Sequence, residues 1–267
     1  MTALFLAAFL SADLTPVSVE VEGVRREALV SIPDSATKEN PAPVVFAFHG
    51  HGGNMRNASR QFHIETVWPE AVVVYMQGLK TATLRDPKGE RPGWQNLPGM
   101  QGDRDLKAFD AMLAHLKTRT TVDPSRIYAM GHSNGGGFTY CLWRARPEVF
   151  AAIAPSSANP PIPVDGMKPI PVLHVSGKTD AIVSFDGQTK TVEAVKKING
   201  CSEPGKEWAK DCTEFASDKG TPLVWLVHEG DHRYLSAAPA LIVRFFQENS
   251  KSKDKTSAAA IKKMVGD

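Results

Sequence analysis

Met130-Gly131-His132-Ser133-Asn134-Gly135-Gly136-Gly137 places one serine between glycines, with an apolar run before it and a helical pattern after it. In that setting Gly-x-Ser-x-Gly marks a sharp strand-to-helix turn that lifts the serine hydroxyl clear of the backbone, and it demands small residues two positions away. The chemistry this offers is nucleophilic attack on a carbonyl. Helix amino termini favour developing negative charge, so the Asn134 backbone N–H is a candidate oxyanion donor. A second donor is expected from the loop after an earlier strand. His49-Gly50-His51-Gly52-Gly53 supplies such a loop, with the His51 backbone N–H as the assigned donor and Gly52 as the alternative.

A serine hydroxyl attacks well only when a base takes its proton. Of the eight histidines, His49 and His51 belong to the glycine loop, and His132 belongs to the turn itself. His174 lies inside a strand run, His228 closes another, and His63 and His115 sit in loop or helical stretches. His232 remains, on Glu229-Gly230-Asp231-His232 after the last strand run, and is the candidate base. The acid that orients it should fall between the two in sequence. Ser176-Gly177-Lys178-Thr179-Asp180 places Asp180 in the turn leaving the penultimate strand, with Asp186 and Asp231 as rivals. Asp180 would hold the His232 tautomer and stabilise the imidazolium.

These residues need a frame. Continuous apolar runs at Pro43–Phe48, Ala71–Tyr75, Arg126–Met130, Phe150–Ala154, Pro171–Val175 and Leu223–Val227 read as strands buried on both faces. Val17–Val21 and Ala28–Ile32 read as an opening hairpin turning near Glu22-Gly23. Helical spacing occupies Leu106–Leu116, Phe138–Ala145, Thr189–Ile198 and Ala237–Phe246. Strands alternating with helices predict a mostly parallel sheet covered on both faces, with the site beyond the carboxyl ends of its strands. His49, Ser133, Asp180 and His232 all follow strand runs.

The remaining features bound the function. With 267 residues, 42% hydrophobic, no internal repeat and no Gly/Ser linker, one catalytic domain over 13–249 is expected. A net charge of +2 argues against nucleic acid as partner. The apolar run Ala3–Leu10 is short of the roughly 20 residues a membrane span needs. It reads as a signal peptide over 1–12 and points to a secreted or periplasmic protein, although no Lys or Arg precedes it. Residues 250–267 read as a flexible Lys/Ser/Ala-rich tail. Cys201 and Cys212 lie in a Gly-, Pro- and charge-rich stretch, either as a disulfide bracing it or as two unpaired thiols. No metal or nucleotide motif occurs, so no cofactor or metal is expected.

Phe48-His49-Gly50, Gly93-Trp94, Asp123-Pro124-Ser125-Arg126-Ile127-Tyr128, Gly131-His132-Ser133-Asn134-Gly135-Gly136 and Gly177-Lys178-Thr179-Asp180 occur in an order that resembles secreted polyhydroxybutyrate-depolymerase-like and feruloyl-esterase-like enzymes, the broad group that includes acetylxylan esterases. The resemblance covers most of Pro43 to His232. It implies the α/β-hydrolase fold with an eight-stranded, mostly parallel sheet, an acyl-enzyme mechanism without metal, and a Cys201–Cys212 disulfide. It makes Trp94 either a substrate-binding residue or a core tryptophan. Two departures stand out. Arg233-Tyr234 follows the candidate base where Trp-Pro is frequent, and His51 stands where depolymerases of this type commonly have Cys. The expected substrate is a small-molecule or polymer-linked ester. A peptidase or amidase on the same frame and a non-catalytic binding module are the alternatives.

Overall fold

The computed structural model describes residues 13–251, so the 1–12 segment and most of the Lys-rich tail lie outside the described residues. The chain opens with β1 (Thr15–Val21) and β2 (Val24–Ser31), a hairpin in which Val21 pairs with Val24. β3 (Ala42–Phe48) follows, then α1 (Met55–Phe62), α2 (Ile64–Val67) and β4 (Val72–Met76). β5 (Leu79–Lys80) and β6 (Pro92–Gly93) form a small ribbon of their own. Next come α3 (Arg104–Arg119), β7 (Val122–His132), α4 (Asn134–Ala145), β8 (Ala152–Ser156), β9 (Val172–Gly177) and α5 (Phe185–Asn199). β10 (Lys206–Ala209), β11 (Cys212–Phe215), β12 (Leu223–His228) and α6 (Ala238–Glu248) complete the fold.

The main sheet is α/β as expected but larger, ten strands in the order β1-β2-β4-β3-β7-β8-β9-β12-β11-β10. Its centre, β4 through β12, is parallel, and the β1-β2 and β10-β11 hairpins extend it antiparallel at either end. The second hairpin escaped the sequence reading because Lys206-Glu207-Trp208-Ala209 and Cys212-Thr213-Glu214-Phe215 are short and half polar. β3 and β4 are buried at every position, as strands covered on two faces must be. Two cores result. Phe46, Phe48, Phe109 and Phe138 lie on the α3/α4/α5 side, and Tyr75, Tyr128, Phe62 and Phe246 lie on the α1/α6 side.

The expected Cys201–Cys212 disulfide is absent, and both thiols are free. Cys212 sits in β11 with its side chain in the α1/α6 core, whereas Cys201, just past α5, packs against the other one. The sheet lies between the two cores, so their side chains point away from each other, and a disulfide needs converging Cβ atoms. Trp94 is also a correction: it is fully buried rather than facing substrate. It stacks on Phe138 at 5.3 Å and donates its indole N–H to the His49 carbonyl at 2.9 Å.

A buried ion pair fastens the frame near the site. Arg26 on β2 donates to Asp105 on α3 at 2.7 Å, with both side chains at most 1% exposed. The second Asp105 oxygen accepts the Gln95 N–H at 2.8 Å, and Gln95 Oε1 accepts the Asp105 N–H at 3.1 Å. The Trp94–Gln95 segment is thereby pinned to the start of α3. Breaking a buried pair by removing one partner strands the other charge. Arg26→Leu should therefore lower the unfolding free energy by about 3–5 kcal/mol, measured by urea denaturation.

Candidate active site

Ser133 sits at the end of β7 with φ 55° and ψ −122°, a backbone conformation a non-glycine residue holds only when its surroundings enforce it. The enforcement is visible. The Ser133 N–H donates to the Ser156 carbonyl on the neighbouring strand at 2.9 Å, and its carbonyl accepts the Gly137 N–H at 2.9 Å as α4 begins. The turn also presses α4 against β3. A Cβ on Gly135 would stand 2.1 Å from the Phe48 carbonyl oxygen, so only glycine fits there.

His232 arrives from the loop after β12. Its Nε2 lies 2.8 Å from Ser133 Oγ, and its Nδ1 lies 2.8 Å from Asp180 Oδ2. With the carboxylate accepting from Nδ1–H, Nε2 is left with its lone pair toward the serine hydroxyl. The other Asp180 oxygen accepts the Ile182 and Val183 backbone N–H groups, each at 2.8 Å. The two loops are also joined directly. Lys178 N–H donates to the His228 carbonyl at 2.8 Å and Thr179 N–H to the Gly230 carbonyl at 3.1 Å. They run so close that a Cβ on Gly177 would lie 2.5 Å from the Asp231 carbonyl oxygen. The rivals of Asp180 are engaged elsewhere: Asp186 pairs with Lys190 at 2.7 Å and Asp231 with Arg233 at 3.0 Å.

The glycine loop lies against the turn, with the Gly50 Cβ position 3.5 Å from Ser133 Cβ. The Gly52 N–H is already donated to the Pro92 carbonyl at 2.7 Å, which removes the alternative to His51 as a donor. His49 anchors this loop from behind. Its Nε2 accepts the Gly78 N–H at 3.0 Å and its Nδ1 donates to the Gly50 carbonyl at 2.8 Å, an arrangement that requires the neutral ring.

Several of these roles had no signal in the sequence. The Asn134 side chain accepts the Trp94 N–H at 2.8 Å and donates to the Trp94 carbonyl at 3.1 Å, tying α4 to the segment below the cavity. Behind Asp180, a buried chain of donors runs inward. Tyr140 O–H meets His174 Nδ1 at 2.8 Å, His174 Nε2 meets Gln188 Oε1 at 3.3 Å, and the Gln188 amide approaches Asp180 Oδ2 at 3.5 Å and donates to the Val183 carbonyl at 2.8 Å. Gln188 lies one turn into α5, where an internal polar residue on an amphipathic helix was the available sign. Behind His232, its ring lies 5.0 Å from that of His132, which meets Tyr234 at 5.6 Å; Tyr234 in turn packs on Phe62. Tyr234 therefore backs His232 and does not line the cavity over Ser133.

That cavity measures about 530 Å³ and opens over Ser133, Asn134, His51 and His232. Among the described residues no group of His, Cys, Asp and Glu side chains converges as a metal site, and no helix is long and apolar enough to cross a membrane.

Similarity to known proteins agrees with this geometry. The chain is 29% identical over 220 residues to a probable feruloyl esterase C of Aspergillus oryzae, covering 80% of this chain and 77% of the relative. Residues 93–160, which carry the serine turn, match the prolyl oligopeptidase family. The chain is a carboxylic ester hydrolase with the α/β-hydrolase fold, and its sequence is similar to feruloyl esterases. In fold, this ester hydrolase is similar to a ferulic acid esterase structure with a TM-score of 0.64 at 15% identity, over 88% of this chain and 98% of that one. It is also similar to the ferulic acid esterase of Anaeromyces mucronatus solved with ferulic acid, with a TM-score of 0.59 at 13% identity, over 89% and 90% of the two chains.

Burial holds three histidines of the site region well below the usual imidazole value, His49 to about 4, His132 to about 3 and His174 to about 4. The unfolded chain takes up protons near pH 6.5 that these rings refuse. The unfolded state then binds more protons, so stability falls as pH drops through that value. Urea unfolding between pH 7 and pH 5 should show a loss of up to about 1.4 kcal/mol per pH unit for each ring. A flat profile would mean that the three rings titrate normally.

Proposed function

We propose that this ester hydrolase works through a serine acyl-enzyme, with Ser133 as nucleophile, His232 as general base and Asp180 as the orienting acid. The observation that carries the reading is the unbroken hydrogen-bonded line from Asp180 Oδ2 through both ring nitrogens of His232 to Ser133 Oγ, at 2.8 Å on either side. Nε2 takes the hydroxyl proton as Oγ bonds to the ester carbon. The carbonyl oxygen, now an anion, is held by the His51 and Asn134 backbone N–H groups. Collapse expels the alcohol, which leaves with the proton from Nε2. Water, deprotonated by the same nitrogen, then attacks the acyl-serine and frees the acid and the hydroxyl. Asp180 stays ionised throughout and stabilises the imidazolium. Each oxyanion donor is worth about 3 kcal/mol of transition-state stabilisation.

The cavity walls favour an ester with an apolar or aromatic acyl group. Ala158, Pro161, Ile182 and Val183 line them, and the named relatives are feruloyl esterases. Feruloyl and acetyl esters of extracytoplasmic material are the proposed substrates, and the apolar run Ala3–Leu10 is what favours export. An amidase reading draws on the match of residues 93–160 to the prolyl oligopeptidase family.

Ser133→Ala should abolish hydrolysis of p-nitrophenyl acetate and methyl ferulate while leaving the thermal midpoint in place; undiminished turnover would refute the assignment. Asp180→Asn should lower kcat by about 10³–10⁴-fold, since the imidazole then lacks its tautomer constraint. An anilide analogue run beside each ester separates the amidase reading, which requires comparable Ser133-dependent rates on both.

A further inference from the structure

The rim of the cavity over Ser133 carries a charge arrangement that neutral esters leave unused. The loop between β5 and β6 forms this rim, turning where Thr83 bridges Asp86, and it contributes Leu84, Arg85, Asp86 and Arg91 to the lining. Leu84 is fully exposed. Among the described residues neither the Arg85 nor the Arg91 guanidinium has a carboxylate within ion-pair distance, although both belong to the cavity. The lining's one carboxylate, Asp86, is already engaged. It meets His51 Nε2 at 3.0 Å and accepts the Arg91 N–H at 3.0 Å and the Glu90 N–H at 3.3 Å.

The rim is also held in register with the candidate oxyanion loop. The His51–Asp86 contact joins them directly, the Gly52 N–H donates to the Pro92 carbonyl at 2.7 Å, and the Thr81 N–H donates to the Arg91 carbonyl at 3.0 Å. The stem of Arg91 crosses Gly52, its Cδ 3.4 Å from the Cβ position there. One cation is thus laid along the candidate oxyanion loop, a second stands on the same rim, and Ala158, Pro161, Ile182 and Val183 add apolar surface to the same cavity. An occupant that satisfies all three has an ester at one end, a hydrocarbon or aromatic body, and an anion at the other.

We propose that the cavity selects esters bearing a second, ionised carboxylate, which Arg91 and Arg85 receive at the rim. The proposal rests on the esterase reading and narrows it. Carboxylate is the anion of choice because guanidinium presents paired donors matched to its two oxygens. The anion can belong to the acid, as in the half-ester of a dicarboxylic acid, or to the alcohol, as in an esterified acidic sugar. Rim-exposed ion pairs are individually weak and screened by salt, so two of them should give a preference of about five- to tenfold.

The test compares kcat/KM, normalised to alkaline hydrolysis rates, within two matched pairs at low ionic strength. p-Nitrophenyl hemiadipate against p-nitrophenyl hexanoate places the carboxylate on the acid side; 4-acetoxybenzoate against its methyl ester places it on the alcohol side. The wild-type protein should favour the anionic member of one pair by about five- to tenfold, and the favoured pair identifies which side carries the anion. The preference should fall to about one in the Arg85→Gln/Arg91→Gln double variant and in high salt. It should persist in Arg25→Gln, whose side chain is exposed on β2 beside Glu27. A ratio at or below one in both pairs, or one that survives the double variant, would overturn the proposal while Ser133-dependent turnover of the neutral esters stands. Loss of all Ser133-dependent turnover would overturn the esterase reading and this one together.

Discussion

The contact between two main chains at Gly135 and Phe48 governs the geometry of the whole site. With no Cβ on Gly135, α4 approaches the end of β3 closely enough that a methyl group would overlap the Phe48 carbonyl oxygen. That approach brings the His49–Gly53 loop beside Ser133, and it aims the amino terminus of α4 at the same space. The positive φ of Ser133 follows from the same crowding, since the chain must reverse from strand to helix within one residue. The His49–Gly53 loop could not be moved outward without drawing the His51 backbone N–H away from Ser133. The stacking of Trp94 on Phe138, and the Asn134 side chain bridging to Trp94, fill the space behind the contact and keep it closed.

A second constraint is the neutrality of the surrounding histidines. His49 and His174 each use one ring nitrogen as acceptor and the other as donor, so each is fitted to a single uncharged tautomer. His132, packed beside His232, is held neutral by burial. A charged ring there would oppose a positive charge on His232, whereas an uncharged one leaves the Asp180 carboxylate as the partner of that ring. Of the imidazoles around the site, His232 meets the Ser133 hydroxyl, while burial keeps His49, His132 and His174 neutral.

The parts of this arrangement legible in the sequence were those with short-range signatures. The Ser133 turn announces itself through glycines at fixed offsets, and the parallel strands through continuous Val/Ile/Phe runs. Asp180 and His232 could be selected because strand order restricts where such groups come to lie, and they lie within hydrogen-bond reach of one another. Long-range side-chain partnerships left no trace. Gln188 on α5 and Tyr140 on α4 meet only through His174, and nothing in their local spacing encodes it. Trp94, which the sequence left open between substrate binding and core, is a large aromatic flanked by Phe48 and Phe138 and serves packing. The β10-β11 hairpin was missed because its four-residue strands carry their polar residues side by side, at Lys206-Glu207 and Thr213-Glu214, and so show no alternating pattern to set them apart from a loop. The disulfide inference fell with it, since β11 carries Cys212 into one core while Cys201, just past α5, packs against the other.

That hairpin has a consequence for where the molecule tolerates disorder. β12 delivers the loop carrying His232, and without β10 and β11 it would form the outer margin of the sheet, its amide and carbonyl groups open to water and to other chains. Short strands at a margin fray first. Here fraying is absorbed by eight residues that touch no reacting group, while the strand beneath the imidazole keeps neighbours on both flanks. The periphery acts as a sacrificial hem, and the working fabric of the sheet begins one hairpin further in.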